Sequence, residues 1–217
     1  MIRGKKSGFT LVEMLVVISI IATLAAMTAV ATKTITEKRT IKLVEAQMRQ
    51  IESAIVDYKA KLGFYPQDNG NQGNASWTAL SPLFYELTGT VPGPSSGIPT
   101  GDYGSVLGND TISAVALQGV FGRRGFANSS DQTRKNFFPS MLPFNFKEVT
   151  IGLENVKLLV VPAKGRENFS GPTDKEINPW RYNSSNPTNN IGSFDLWAEL
   201  KFQNRTVIVG NWKRRQQ

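Results

Sequence analysis

The first hydrophobic pattern in the chain is a run of apolar and small residues from Phe9 to Ala31. It contains no proline or glycine, and a helix over it would cross a bilayer core of about 30 Å at about 1.5 Å per residue. The pattern predicts a transmembrane helix at 9–31. Glu13 is the one ionisable residue in the run, and a carboxylate in a membrane helix costs about 2.5–3.5 kcal/mol on insertion scales. We therefore expect Glu13 to have a partner.

A second pattern follows directly. Apolar residues recur at intervals of three and four, which places them on one face of a helix: Ile41, Val44, Met48, Ile51, Ile55, Tyr58 and Leu62. Polar or charged residues take the opposite positions: Lys42, Gln47, Arg49, Glu52, Asp57 and Lys61. Gly63 and Tyr65-Pro66 predict that the helix stops after Leu62. The pattern predicts a helix continuing over 32–62 and packed on a sheet, with a short coiled coil as the alternative.

Residues 63–217 predict one globular domain built on a small antiparallel sheet. Glu148–Ile151 and Val156–Val161 are strand candidates. From Phe194 to Phe202 apolar and polar residues alternate, as in a half-buried strand. The turn at Gln203–Arg205 leads into a further apolar run, which predicts a hairpin. With the long helix, these strands predict an α+β fold.

The middle of this domain, 88–175, is a large insertion with weaker signals. Trp77–Leu87, just before it, predicts a short helix that Pro82 either starts or interrupts. The stretch 88–109 is rich in Gly, Pro and Ser, which predicts an exposed loop.

Later parts of the insertion carry three more predictions. Asp110 is expected to cap a helix that ends at Gly122. The Arg123-Arg124 pair is expected in a solvated loop, the alternative being contact with an acidic partner. Aromatic residues and prolines over 137–146 predict an irregular segment pinned on the core, and its exposed part is a candidate subunit interface.

Composition narrows the function classes. The chain of 217 residues has no cysteine, no histidine and a formal net charge of +8. The lack of these two residue types excludes disulfides and thiolate metal sites, and it removes the commonest general base and transition-metal ligand. No carboxylate or Ser/Lys constellation stands out, so no enzyme and no cofactor is predicted. The Lys and Arg residues are scattered, and no nucleic-acid partner is predicted.

The residues before the apolar run identify a targeting signal. Residues 1–8 are short, polar and basic, like a leader peptide. The segment Lys6–Met14, KSGFTLVEM, resembles the class III signal of type IV pilins and type II secretion pseudopilins. The resemblance implies cleavage between Gly8 and Phe9 by a cytoplasmic-side prepilin peptidase and N-methylation of Phe9. It also implies a single pass through the bacterial inner membrane with the C-terminal domain in the periplasm.

The resemblance implies a partner for Glu13 as well. Cleavage would create a cationic amine at Phe9, and a buried carboxylate and ammonium are tolerated when they pair. In a filament, Glu13 would neutralise the Phe9 amine of a neighbouring subunit and set the axial register. The alternatives are a Phe9–Glu13 pair within one chain and an incidental acid in a signal anchor. Ala29-Val30-Ala31 leaves a further alternative, an ordinary secretory cleavage with a mature start at Thr32.

Three more segments resemble the major pseudopilins of type II secretion. Asp57–Pro66 resembles the end of their long helix. Asn178–Tyr182, NPWRY, resembles an Asp-Pro-Trp-Gly motif followed by tyrosine, and Gly210–Trp212 resembles their C-terminal close. These proteins often carry a proline where this chain has Val30, so the usual cause of a helix kink is missing here.

Relatives of this kind commonly bind calcium through an acidic loop. This chain keeps Asp195, but Leu200–Arg205 offers cations in place of acids. Calcium needs six to eight oxygen ligands. No metal is therefore predicted, and Asp195 is the one calcium candidate.

These observations predict a pilin-like structural subunit of a periplasmic pseudopilus that drives type II protein secretion. The partners implied by the resemblance are further copies in a homo-oligomeric filament, minor pseudopilins, an inner-membrane platform and an assembly ATPase. One alternative is a type IV pilus subunit for adhesion, motility or DNA uptake, and another is a signal-anchored periplasmic protein. The lack of cysteine favours secretion, because major pilins often close a C-terminal loop with two cysteines.

Overall fold

The computed structural model describes residues 9–93, 99–107, 110–130, 134–166, 169–172, 176–203 and 205–212, without the side chains of 28–34. The predicted leader, including Gly8, lies outside the described residues. The chain divides into two compact units, Met1–Lys42 and Leu43–Gln217. The fold is α+β, which confirms the predicted class. The predicted domain boundaries at 8, 31 and 62 stay predictions.

The long helix α1 spans Leu11–Leu62 and has 52 residues. The N–H of Gly63 donates to the carbonyl of Lys59 at 2.8 Å, and Gly63 has a φ of +88°, which glycine adopts without strain. The predicted stop after Leu62 is confirmed. Most of the predicted apolar stripe is buried: Val44, Met48, Ile51, Ile55 and Tyr58.

The first unit contains the N-terminal part of α1. Every described side chain from Phe9 to Met27 is exposed. Within the described part of the chain, no helix is both long enough and apolar enough to cross a membrane. The span at 9–31 stays a prediction.

The prediction for one residue of the helical pattern is wrong. The spacing places Gln47 on the polar face, yet Gln47 is buried. Its Nε2 donates to the carbonyl oxygen of Val160 at 3.0 Å. The helix therefore meets polar backbone as well as apolar side chains on its buried face.

The second unit adds short elements to α1. It contains two further helices, α2 (Leu83–Thr88) and α3 (Ala114–Phe121), and a 3₁₀ turn at Pro143–Asn145. The described strands are β1 (Thr90–Pro92), β2 (Tyr103–Ser105), β3 (Thr111–Ile112), β4 (Phe146–Ile151), β5 (Glu154–Leu159), β6 (Arg181–Asn183), β7 (Asp195–Phe202) and β8 (Arg205–Gly210). Over the described ranges they form three antiparallel sheets, β1-β2-β3, β4-β5 and β6-β7-β8. The predicted antiparallel architecture is confirmed, divided among three sheets rather than one.

The C-terminal hairpin follows its predicted alternation. Ala198 of β7 lies opposite Val209 of β8, and Phe202 lies opposite Arg205. The apolar positions Leu196, Ala198 and Leu200 are buried. The period-two pattern thus set the face of β7 that packs inward.

The prediction of an exposed loop at 88–109 is wrong in part. β1 and β2 fall within this stretch, with Thr90 opposite Ser105 and both residues buried. Each strand has three residues, which is too short for a local pattern to reveal. Pro82 immediately precedes α2, so it starts that helix.

The start of α3 also differs from the prediction. Its N-cap is Ser113, whose Oγ accepts a hydrogen bond from the N–H of Ala116 at 2.9 Å. Asp110 instead forms an ion pair with Lys157. The predicted end at Gly122 is confirmed, with a φ of +60°.

Aromatic side chains are the largest groups in the described core. The largest fully buried ones are Trp180, Tyr58, Tyr182, Phe84, Phe121 and Phe138. The Phe137 ring centroid lies 5.2 Å from that of Tyr58 on α1, so the inner part of the segment at 137–146 packs on the core as predicted. Leu142 and Phe144 in the same segment are exposed. Their role as a subunit interface stays a prediction.

Candidate processing and assembly segment

The first turn of α1 holds the acid singled out by the sequence. Glu13 Oε2 accepts hydrogen bonds from the backbone N–H and the Oγ1 hydroxyl of Thr10, both at 2.8 Å. In return the N–H of Glu13 donates to Thr10 Oγ1 at 3.3 Å. This reciprocal pattern is a capping box, in which an N-terminal Thr and a Glu three residues later satisfy free N–H groups of a helix. In the full chain, Glu13 therefore has a partner within its own chain.

That partner is Thr10, which the sequence interpretation missed. The alternative considered was an intrachain pair between Glu13 and Phe9. The signal was present, because a Thr followed three residues later by a Glu before an apolar run is a helix-start pattern.

The described surface on both sides of the cap is apolar. Phe9 is 74% exposed and Leu11 is 81% exposed. The large apolar side chains exposed along this stretch are Phe9, Leu11, Val12, Met14, Leu15, Val16, Val17, Ile18, Ile20, Ile21, Leu24 and Met27. A folded monomer in water does not normally leave so large an apolar patch uncovered.

Hydroxyl groups on this surface bond to their own helix. Ser19 Oγ donates to the carbonyl of Val16 at 2.8 Å, and Thr23 Oγ1 donates to the carbonyl of Ile20 at 2.8 Å. Such back-bonding satisfies a hydroxyl without an outside partner. These polar residues therefore remain compatible with an apolar surrounding.

Residues 3–29 match the family model for the prokaryotic N-terminal methylation motif. The motif indicates a type IV pilin-like or pseudopilin-type protein. For a pilin-like protein it implies processing by a prepilin peptidase and assembly into a pilus or pseudopilus. No curated protein and no solved structure matches the chain significantly. The cleavage position after Gly8 and the assembly roles of Phe9 and Glu13 stay predictions.

Two of the segments that resemble pseudopilins meet in the second unit. Tyr182 Oη donates to the carbonyl of Pro66 at 2.9 Å. Tyr65 Oη and Ser193 Oγ lie 3.1 Å apart. Asn211 Oδ1 accepts a hydrogen bond from the N–H of Leu196 at 3.0 Å. The chain leaving α1 is thus tied to β6 and to the loop before β7, and Asn211, just after β8, binds β7.

Asp195, the calcium candidate, points into the loop just before β7. Its Oδ2 accepts from the N–H groups of Thr188 (2.8 Å) and Asn189 (2.9 Å), and its Oδ1 accepts from the N–H of Asn190 (2.8 Å). The carboxylate is buried. The positive ends of these N–H dipoles converge where a cation would bind, which opposes metal binding by Asp195. Among the described residues, no group of three or more acidic, His or Cys residues could hold a metal ion.

A second buried carboxylate holds the start of the same loop. Asp68 Oδ2 accepts from the N–H groups of Ser184 (3.1 Å) and Ser185 (2.8 Å). Asp68 Oδ1 pairs with Arg123 Nη2 at 2.9 Å. The prediction that Arg123 lies in a solvated loop is therefore wrong, whereas Arg124 is exposed.

Replacing Asp195 with asparagine should destabilise the protein by about 1–3 kcal/mol, because an amide supplies one acceptor oxygen where the carboxylate supplies two. Thermal unfolding of the detergent-solubilised chain would measure the loss. Asp57→Asn, at an exposed position of α1, is the matched control and should change stability by less than about 0.5 kcal/mol. A chelator should leave the unfolding temperature of the wild type unchanged; a fall would restore the calcium hypothesis.

Proposed function

We propose that this protein is a structural subunit of a periplasmic pseudopilus that drives type II protein secretion. The observation that carries the proposal is the methylation motif over residues 3–29. It marks a chain that is processed before it assembles. The α+β fold, with a long helix ahead of antiparallel sheets, agrees with a subunit of this kind. The role is assembly rather than catalysis.

The apolar run at 9–31 crosses the inner membrane once and leaves the C-terminal domain in the periplasm. Support comes from the exposed apolar side chains of 9–27, which lipid covers before assembly and neighbouring subunits cover afterwards. The hydroxyls of Ser19 and Thr23 are hydrogen-bonded within the helix, so they need no water either in lipid or between subunits.

Processing then changes the chemistry of the first turn of α1. A prepilin peptidase cuts between Gly8 and Phe9 and methylates the new amine of Phe9. In the uncleaved chain Thr10 occupies Glu13 Oε2, so Oε1 is the oxygen that receives the ammonium of a neighbouring Phe9. The pair neutralises two charges that would otherwise be buried separately. It also sets the axial register of one subunit against the next.

Two features support the secretion branch over the pilus branch. The chain has no cysteine with which to close the loop found in many major pilins. Two of the segments that resemble major pseudopilins contact each other, because Tyr182 Oη donates to the carbonyl of Pro66. The further partners are minor pseudopilins, an inner-membrane platform and an assembly ATPase.

Deleting the gene should stop release of type II secretion substrates and leave them in the periplasm, while surface pili persist. The readouts are the distribution of an exported enzyme between medium and periplasm, and electron microscopy of pili, each with a complemented strain. Loss of pili with normal secretion would place the subunit in a type IV pilus. Normal secretion together with normal pili would contradict both functions.

A further inference from the structure

The hairpin of β4 and β5 carries an exposed apolar side chain at its tip. Ile151 lies opposite Glu154, and Gly152 and Leu153 make the turn. Gly152 has a φ of +65°, which favours glycine, and Leu153 is 100% exposed. Nothing in the described fold uses this leucine, because a fully exposed side chain adds no packing energy.

The other end of the same hairpin borders an open groove. Its volume is about 250 Å³, and its apolar walls include Phe144, Val161, Pro162 and Ile177. A cavity of about 150 Å³ in another protein accepts a benzene molecule. The groove is therefore large enough for one leucine side chain.

The tip and the groove end of the β4–β5 hairpin carry charges of opposite sign. Lys147 lines the groove together with Glu176, and Glu176 forms an ion pair with Lys164 at 2.6 Å. Among the described side chains, two ammonium groups and one carboxylate give this rim a net positive charge. The tip beside Leu153 carries the carboxylate of Glu154, which accepts a hydrogen bond from Ser113 Oγ at 3.1 Å.

The strand register separates the tip from the groove. Lys147 pairs with Leu158 at the groove end, and Ile151 pairs with Glu154 at the tip end. Strands of six residues span roughly 20 Å at about 3.4 Å per residue. Leu153 therefore cannot fill the groove of its own chain.

We propose that the Leu153 tip of one subunit docks into the Phe144–Ile177 groove of a second copy of this chain. The contact is head-to-tail, because tip and groove are different surfaces at opposite ends of one element. A contact of this type repeats along an open assembly when the rotation between copies does not close a ring. The inference rests on the proposed function as a filament subunit and assigns a globular-domain contact to that filament.

The cysteine-free sequence makes the contact testable by disulfide cross-linking. The full-length chain would carry Leu153→Cys and Phe144→Cys together, in cells treated briefly with a mild oxidant. A non-reducing gel should show a ladder of dimers, trimers and larger species, because every subunit offers one tip and one groove cysteine. Both positions are exposed, so the substitutions should not disturb folding.

Matched controls separate docking from random collision. Each single cysteine variant should lack the ladder and give several-fold less cross-linked protein. A variant with Ile191→Cys and Phe144→Cys should also lack it, because Ile191 is 90% exposed on a different loop. An equal ladder from this control, or none from the Leu153 and Phe144 pair, would overturn the inference.

The gene deletion is scored in the same strain background, so that failure of the docking inference can be told apart from failure of the proposed function. If the wild type restores secretion or pili to the deletion strain but the cysteine pair gives no ladder, the docking inference fails and a filament role stands. If deletion affects neither secretion nor pili, the proposed function fails whatever the ladder shows.

Discussion

Glu13→Gln should abolish filament assembly and secretion while the protein is still cleaved and stays in the membrane. Glutamine can complete a capping box with Thr10, so the first turn of α1 keeps its hydrogen bonds. The variant removes only the negative charge. A neighbouring Phe9 ammonium would then be buried without a counterion, which costs about 3–5 kcal/mol when one partner of a buried pair is lost. That loss recurs at every subunit, so growth of the filament should stop.

Thr10→Val is the matched control for the capping role. It removes the Thr10 hydroxyl that bonds to Glu13 and leaves the charge of Glu13 in place. Assembly should persist in this variant. Sheared filaments and secreted substrate are the measurements, and N-terminal sequencing should find a methylated Phe9 in every variant. Normal assembly by Glu13→Gln would refute the charge pairing, and a mature start at Thr32 would refute the processing.

Glu86→Ala should destabilise the domain by about 3 kcal/mol or more. Glu86 on α2 is buried. It accepts hydrogen bonds from Tyr58 Oη on α1 at 2.8 Å and from the N–H groups of Ala127 (3.0 Å) and Asn128 (3.1 Å). Alanine leaves these donors without their acceptor, and each unsatisfied buried donor costs about 1–3 kcal/mol. Denaturant unfolding of the solubilised chain would measure the difference.

The same carboxyl should give stability a pH dependence. Burial raises the pKa of Glu86, and the hydrogen bonds from Ala127, Tyr58 and Asn128 offset part of that rise. Between the unfolded-state pKa of glutamate, about 4.3, and the higher folded-state pKa, the folded protein holds more protons than the unfolded chain. The free energy of unfolding therefore falls as the pH rises through this window.

Unfolding measured across the window in wild type and Glu86→Gln would show this dependence. The variant cannot ionise, so its stability should decline less steeply as the pH rises. Glu148→Gln, at an exposed carboxylate, controls for the loss of one negative charge and should follow the wild type. Parallel curves for wild type and Glu86→Gln would show that Glu86 does not couple to folding.

Local spacing predicted those elements whose faces are set by neighbours along the chain. The stripe from Val44 to Tyr58 and the stop at Gly63 follow from helical periodicity and from the φ that glycine permits. The alternation in β7 likewise identified its buried face. In each case one side chain every two to four residues carries the signal, so no knowledge of the tertiary structure is needed.

Long-range polar contacts could not be predicted in this way. Gln47 looks like a surface residue until the carbonyl of Val160, 113 residues away, is placed beside it. Arg123 looks solvated until Asp68, 55 residues away, meets it. Each side chain meets its partner only in the folded tertiary structure, and a single sequence carries no record of that pairing.

The candidate processing and assembly segment was likewise predicted in part. The motif alone predicted roles for Gly8, Phe9 and Glu13, because its residue types and spacing are specific. The spacing of Thr10 and Glu13 also fits a capping box, whereas the partners predicted for the acid were the Phe9 amine of a neighbouring subunit or of the same chain. A local partner and a neighbouring one need not exclude each other, since Glu13 has two oxygens.

The hydroxyls of Ser19 and Thr23 bond to carbonyls of their own helix, and this bears on the axial position of one subunit against the next in a filament. With both groups bonded to their own backbone, the described side chains from Leu11 to Met27 offer a neighbouring helix a smooth apolar surface interrupted by one charge. Apolar contacts tolerate small axial shifts, whereas an ion pair does not. The ion pair of Glu13 would then be the one contact on this stretch that fixes the axial position of one helix against the next. Substitutions elsewhere on that stretch should be tolerated as long as they remain apolar.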